Sequence, residues 1–267
     1  MNRIDRTFRR LKKEKKKAFI AYITAGDPDI AVSESVARAL AERGADIIEL
    51  GIPFSDPLAD GPTIQRAIQR SLDAGCTVKK VFAMTASIRK MTDVPLVFMT
   101  YYNIVFNYGL EKFAKDAKSA GADGIIIPDL PMEEAEEFKH AADREDLCLI
   151  MLTAPTTSGE RFKRIAAKSR GFIYYVSRLG VTGAKKTFSS GLERDIRALK
   201  KLTTKPVCAG FGISTPTQAG KISGTCDGVI VGSAIIDIIE KNLSRKKELV
   251  KRVGSYAASM AKAIHGK

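Results

Sequence analysis

Eight short apolar runs alternate with amphipathic segments along the whole chain. They lie near residues 18–24, 45–51, 94–100, 123–129, 146–152, 171–177, 205–210 and 227–232. A strand covered on both faces reads as a continuous apolar run, because it has no solvent side to mark with polar residues. Regular strand–helix alternation implies parallel strands, each returning over the sheet through a helix. One such crossover holds Ile30, Val32, Val36 and Leu40 at the spacing of a single helical face and is closed by Gly44. The connection over 62–93 has room for two helical pieces. The stretch 244–264 reads as a lysine-rich helix with Leu249, Val250, Val253 and Ala257 on its apolar side. Three runs also open alike: Gly44-Ala45-Asp46-Ile47-Ile48-Glu49, Gly121-Ala122-Asp123-Gly124-Ile125-Ile126 and Thr225-Cys226-Asp227-Gly228-Val229-Ile230. Units that enter a sheet in the same way suit a closed barrel, and 267 residues is close to the ~250 that an eight-stranded one uses. The expected fold is α/β: a single (β/α)8 TIM barrel domain over 1–267 with an extra N-terminal helix. A doubly wound open sheet fits less well. It would carry phosphate glycines after its first strand, where Gly26 stands alone without G-x-G-x-x-G.

Within that frame one segment is chemically conspicuous. Asp46-Ile47-Ile48-Glu49-Leu50-Gly51 reads as a buried strand, and the stretch beyond it is broken by Pro53, Pro57, Gly61 and Pro62. Glu49 therefore sits on a rigid strand end, with Asp56 and Asp60 on the adjoining loop. A carboxylate in an apolar strand is costly to bury. Two acids over one pocket suit general acid–base work, since different surroundings push their pKa values apart. Equally open at this point is a structural reading: Glu49 pairs with a lysine, and the loop acids are solvated or capping.

Composition removes other chemistries. His140 lies in a charged helical segment and His265 beside the C-terminus, so a Ser-His-Asp triad, a histidine metal site or a histidine base is not expected. Cys76, Cys148, Cys208 and Cys226 are widely spaced without a C-x-x-C pair and read as buried free thiols. No metal site is expected. No apolar stretch approaches the ~18 residues of a membrane span, and the apolar segment from Ala18 to Ile23 is too short for a signal peptide. A cytoplasmic protein without a membrane partner is the expectation. The net charge of +14 is half local: residues 1–17 carry nine Lys/Arg against Asp5 and Glu14. With Ile4, Phe8 and Leu11 interleaved, this reads as an amphipathic helix with a solvated basic face. No nucleic-acid motif accompanies it, so no nucleic-acid partner is expected. The remaining charge would steer anionic, phosphorylated substrates.

A place for a phosphate is marked by glycine. Ser177-Arg178-Leu179-Gly180-Val181-Thr182-Gly183, Gly210-Phe211-Gly212-Ile213-Ser214 and Gly232-Ser233-Ala234 come after the sixth, seventh and eighth runs. A barrel gathers backbone N–H groups and a short helix N-terminus there. Glycine admits the anion where a side chain would block it. Such turns also serve as packing devices, but three at consecutive strand ends favour a phosphate site.

Taken in order, these segments and the Pro128-Asp129-Leu130-Pro131 turn resemble the tryptophan synthase alpha subunit over essentially the whole chain. The resemblance implies a lyase that cleaves indole-3-glycerol phosphate by a retro-aldol reaction to indole and glyceraldehyde 3-phosphate, in L-tryptophan biosynthesis. It implies Glu49 and Asp60 as the catalytic carboxylates. Substrate contacts fall on Tyr22, Met99, Ile126, Leu152, Tyr174, Thr182, Gly183, Phe211, Gly212, Ile230, Gly232 and Ser233. Tyr22 stands where members often carry Phe. No cofactor is implied in this chain; pyridoxal phosphate belongs to the partner beta subunit, expected in an alpha2beta2 complex. No lysine stands at a predicted strand C-terminus to form a Schiff base. The loop 53–60 and the segment 178–190, with Gly180, Gly183 and Gly191, are the implied docking and lid elements, and without the resemblance an ordinary surface loop fits the second as well. Two rival readings remain: another phosphate-binding barrel of aromatic or histidine biosynthesis, and a catalytically quiet partner that only activates a beta subunit. The presence of both carboxylates argues against the latter.

Overall fold

The computed structural model describes residues 1–176, 191–210 and 212–266. Eight parallel strands close into a barrel in sequence order: β1 (Ala18–Thr24), β2 (Ile47–Gly51), β3 (Leu96–Met99), β4 (Gly124–Ile126), β5 (Cys148–Thr153), β6 (Ile173–Val176), β7 (Val207–Gly210) and β8 (Gly228–Val231). Ala18 pairs with Gly228 and Ile20 with Ile230, which closes the ring. The helices among the described residues are α1 (Arg3–Lys13), α2 (Ile30–Glu42), α3 (Pro62–Asp73), α4 (Val78–Arg89), α5 (Tyr102–Tyr108), α6 (Leu110–Ser119), α7 (Glu136–Arg144), α8 (Gly159–Lys168), α9 (Gly191–Lys200), α10 (Pro216–Ser223), α11 (Ser233–Glu240) and α12 (Lys246–His265). The connection over 62–93 does hold two helices, α3 and α4.

The repeated Gly-Ala-Asp opening has a structural cause. Asp46, Asp123 and Asp227 each stand at the entry to a strand and grip one residue of the preceding strand twice. Their backbone N–H groups donate to the carbonyls of Phe19, Leu96 and Val207, each at 2.8 Å. Their carboxylates accept the N–H groups of the same three residues, each at 3.0 Å. The carboxylate thus fixes register where the parallel ladder begins. These grips also explain why β2, β4 and β8 start later than the apolar runs suggest.

The N-terminal helix is not simply a solvated basic rod. Ile4 and Leu11 are buried among Ile20, Val97 and Ile150 in the barrel interior, and the Phe8 ring packs on Phe172 at 5.8 Å. Arg3 pairs with Asp123 at 3.0 Å and Arg10 with Asp46 at 2.9 Å. Asn2 caps the helix through the Ile4 N–H and donates its amide to the carbonyls of Asp123 and Asp146. Strand-entry acids thus absorb part of the basic excess, and α1 stops the N-terminal mouth of the barrel. Only the opposite mouth, at the strand C-termini, is left for a ligand. On the C-terminal helix α12, Leu249, Val253 and Ala257 are buried, and His265 meets Asp46 at 2.7 Å as a structural contact. The four cysteines are free and buried, and burial pushes the Cys148 thiol up to about 12.

Candidate active site

The inward-facing residues of β2 are Ile47, Glu49 and Gly51, while Ile48 and Leu50 pack outward toward the helices. Glu49 is completely buried between Tyr22 on β1 and Val97 on β3. Neither of its carboxylate oxygens has a hydrogen-bond partner among the described residues. That overturns the ion-pair reading of this residue. With no cation or donor to offset desolvation, the neutral acid is favoured, and burial pushes the pKa up to about 8.

Asp60 comes from the loop between β2 and α3 and is half-buried. Its Oδ2 accepts a hydrogen bond from the Tyr101 hydroxyl at 2.7 Å, and its carbonyl accepts from the Gln65 side chain. Burial raises its pKa above the ordinary carboxylate range, and the Tyr101 hydrogen bond pulls it back toward the ionised form. The two acids thus differ in surroundings: one is dry and unpartnered, the other reached by a donor. Asp56 is exposed, accepts from the neighbouring Ser55 hydroxyl and stands outside the site.

Two tyrosines line the site from β1 and β6, each lying over a glycine at the end of the next strand. A Cβ on Gly51 would come within 2.3 Å of the Tyr22 hydroxyl, and one on Gly210 within 2.6 Å of the Tyr174 hydroxyl. Glycine at those two positions is therefore a matter of space. Tyr22 is buried, with its hydroxyl 3.3 Å from the Thr24 hydroxyl. Burial, and then the negative charge of Asp60, hold its pKa well above the usual range; Glu49 adds to this. Tyr174 is raised by burial and then by Glu49 and Asp60. Both phenols therefore share one electrostatic site with both carboxylates. Ile126 and Ile230 are buried in the same interior cluster, with Met99 and Leu152 partly buried against it. Of the expected apolar positions, these four and Tyr174 thus fall in one cluster.

At the phosphate end, the helices after β7 and β8 differ. The N-terminus of α10 is filled by its own capping box, Thr215 with Gln218, and Gln218 also accepts from the Ser214 N–H. Among the described residues no side chain caps α11, which begins at Ser233 after Gly232. Its first N–H groups have no intrahelical acceptor and suit an anion. A Cβ on Gly232 would lie 3.3 Å from the Tyr22 ring, so this glycine also sets the distance to the wall. Gly212 has φ +76°, a backbone shape that favours glycine, with nothing near the place of a Cβ. Thr182, Gly183 and Phe211, and the expected lid over 178–190, lie outside the described residues.

The sequence reading missed Tyr101. It stands two residues past the end of β3, is buried, and touches the Asp60 loop at several points. Its position just past a barrel strand is the one signal that could have marked it. Among the described residues no group of three or more His, Cys, Asp or Glu is placed to hold a metal ion, and no helix is long and apolar enough to cross a membrane.

Fold and site together define a (β/α)8 barrel that brings a buried strand-end carboxylate and a loop carboxylate to the C-terminal ends of its strands. The family model of the tryptophan synthase alpha chain matches residues 8–265. Among its relatives, the tryptophan synthase alpha chain of Geotalea uraniireducens is 48% identical over 269 residues, covering 100% of both chains. That of Caldanaerobacter subterraneus is 50% identical over 264 residues, covering 99% of this chain and 100% of the relative. A crystal structure of the alpha chain from Legionella pneumophila superposes with a TM-score of 0.90 at 38% identity, over 99% of this chain and 97% of that one. A structure of Mycobacterium tuberculosis tryptophan synthase gives 0.91 at 35% identity over the full length of both. The chain belongs to the tryptophan synthase alpha chain family. Its activity is accordingly that of a carbon–carbon lyase in tryptophan biosynthesis, cleaving indole-3-glycerol phosphate to indole and glyceraldehyde 3-phosphate.

Proposed function

We propose that Glu49 is the proton shuttle of this reaction and Asp60 its electrostatic partner. Below about pH 8 Glu49 enters the reaction protonated. It gives that proton to indole C3, which places positive charge on the indole nitrogen. As a carboxylate it then takes the proton of the side-chain hydroxyl. The bond between C3 and the carbinol carbon breaks, its electron pair returns to the indole ring, and the carbinol becomes the aldehyde of glyceraldehyde 3-phosphate. Glu49 ends protonated, so no net proton is consumed. Asp60 accepts the indole N–H and stabilises the charge as it develops.

Tyr22, Met99, Ile126, Leu152, Tyr174 and Ile230 hold the ring, and the family resemblance assigns Phe211 to the same role. The phosphate lies on the N-terminus of α11 at Gly232 and Ser233, near Gly212, and the family resemblance assigns Thr182 and Gly183 to it as well. The observation that carries this reading is Glu49, a fully buried acid without a partner at a barrel strand end. The chain acts as one barrel domain in the cytoplasm. It needs no cofactor of its own and pairs with a pyridoxal-phosphate beta subunit in an alpha2beta2 complex. The test is indole release from indole-3-glycerol phosphate by the purified chain, alone and with a beta subunit. Release by the chain alone, increased by the partner, supports the reading; no release in either case opposes it.

A further inference from the structure

We propose that Tyr101 is a positioning residue for the lyase reaction, holding the Asp60 carboxylate over the pocket with one oxygen left open for the substrate. This rests on the role given above to Asp60.

The loop from Ile52 to Gly61 has little else to hold it. Ser55, Asp56, Leu58 and Ala59 are exposed, Leu58 to 90%, and Pro53 and Pro57 donate no hydrogen bond. The Ile52 N–H donates to the Met99 carbonyl at the loop's start, while the N–H groups of Leu58 and Asp60 bond only within the loop. Besides the Gln65 side chain on the Asp60 carbonyl, the described side chain outside the loop that hydrogen-bonds it is Tyr101, two residues past the end of β3. The Tyr101 hydroxyl donates to Asp60 Oδ2 at 2.7 Å and accepts the Ala59 N–H at 3.1 Å. The ring packs on Phe54 at 5.3 Å between centroids. A phenol has one proton to give, and here both its donor and an acceptor position are committed to adjacent residues of the same loop, so its orientation is fixed. Oδ1 of Asp60 accepts no hydrogen bond from a described residue, and it is the oxygen assigned here to the substrate N–H.

Tyr101 can act as an anchor because its own backbone is fixed on both sides. The preceding Thr100 N–H donates to the Ile126 carbonyl at 3.0 Å. The following Tyr102 N–H, at the start of α5, donates to both oxygens of Asp129 at 2.9 and 3.2 Å. The Pro128-Asp129-Leu130-Pro131 turn thereby seats the tyrosine that seats Asp60. The contact also has an electrostatic side: a donor to Oδ2 favours the charged carboxylate, the form that stabilises the indole cation.

The test compares Tyr101→Phe, Asp60→Asn and the double variant in steady-state indole release across pH, with circular dichroism as the control for folding. Tyr101→Phe keeps the ring on Phe54 and removes only the hydroxyl. Loss of a hydrogen bond to a charged group predicts a fall in kcat of roughly ten- to a hundred-fold, with KM within about threefold. The acid limb of the profile moves to higher pH, because Asp60 then holds its proton more tightly. In the Asp60→Asn background the Tyr101→Phe change costs at most about twofold, since its target is gone. Wild-type kcat and an unmoved acid limb in Tyr101→Phe, alongside an inactive Asp60→Asn, would show a packing residue only and overturn the proposal. A full multiplicative loss in the double variant would also overturn it. If Asp60→Asn itself turns over like wild type, the role of Asp60 fails and the inference falls with it.

Discussion

Replacing Glu49 by Gln should make the protein more stable, by an amount that grows with pH. The glutamine amide has nearly the same volume and no charge to desolvate. An unfolded chain carries this acid near its ordinary value of 4.5, and the folded protein near 8. Between those values the folded state holds a proton that the unfolded state has lost, so wild-type stability falls as pH rises. Below 4.5 both states are protonated and the group contributes nothing. Above 8 the cost is complete. At 1.36 kcal/mol per pH unit the plateau is about 5 kcal/mol, and at pH 7 the cost is about 3 kcal/mol. Solvent screening does not reduce these figures, because Glu49 is fully buried. The assay is equilibrium urea unfolding of wild type and Glu49→Gln at pH 5, 6, 7, 8 and 9. The difference between the two at each pH cancels the titration of every other residue, and the change in that difference with pH, which is the quantity read, also cancels the pH-independent effect of the amide. The difference should widen by several kcal/mol from pH 5 to pH 8 and then level off. A flat difference across the series would refute the reasoning, because Glu49 would then titrate like an ordinary solvated acid.

Three further outcomes rest on the same geometry. In the wild-type enzyme kcat/KM should fall above about pH 8 as Glu49 loses the proton it gives to C3; a pH–rate profile rising without limit past pH 9 would contradict that. Asp60→Asn should lower kcat by about 10²-fold with KM little changed, since charge at the indole nitrogen matters mainly as the bond breaks; a raised KM with intact kcat would make Asp60 a binding residue only. Gly232→Val should weaken phosphate-bearing ligands far more than indole alone, because its side chain crowds the α11 N-terminus and the Tyr22 ring 3.3 Å away; calorimetry showing equal loss for both ligands would place the phosphate elsewhere.

Much of the fold and site was legible because barrel chemistry leaves local marks. A lone carboxylate in an apolar run at a strand end is visible without coordinates, and so is glycine after successive strands. The strand–helix alternation pointed to the barrel because each βα unit repeats one pattern. What sequence could not supply were partners distant along the chain. The Asp46, Asp123 and Asp227 echo was visible as a pattern, but its meaning, a two-point grip on the neighbouring strand, needs the register. The basic N-terminal segment suggested a solvated face because its acidic partners lie far along the chain, Asp46 for Arg10 and Asp123 for Arg3. The absence of a partner for Glu49 was likewise invisible, since any of many lysines was a formal candidate. Tyr101 gave no periodic signal, and its importance comes from a hydroxyl reaching residues about forty positions away.

The most direct measurement of the central claim is indole release by Glu49→Gln at pH 7 under saturating indole-3-glycerol phosphate, with substrate affinity measured alongside. If Glu49 carries both proton transfers, turnover drops by ~10²–10⁴-fold while KM stays within a few fold, because the amide keeps the shape of the site and cannot exchange a proton. Turnover within a factor of a few of wild type would contradict the account at its centre.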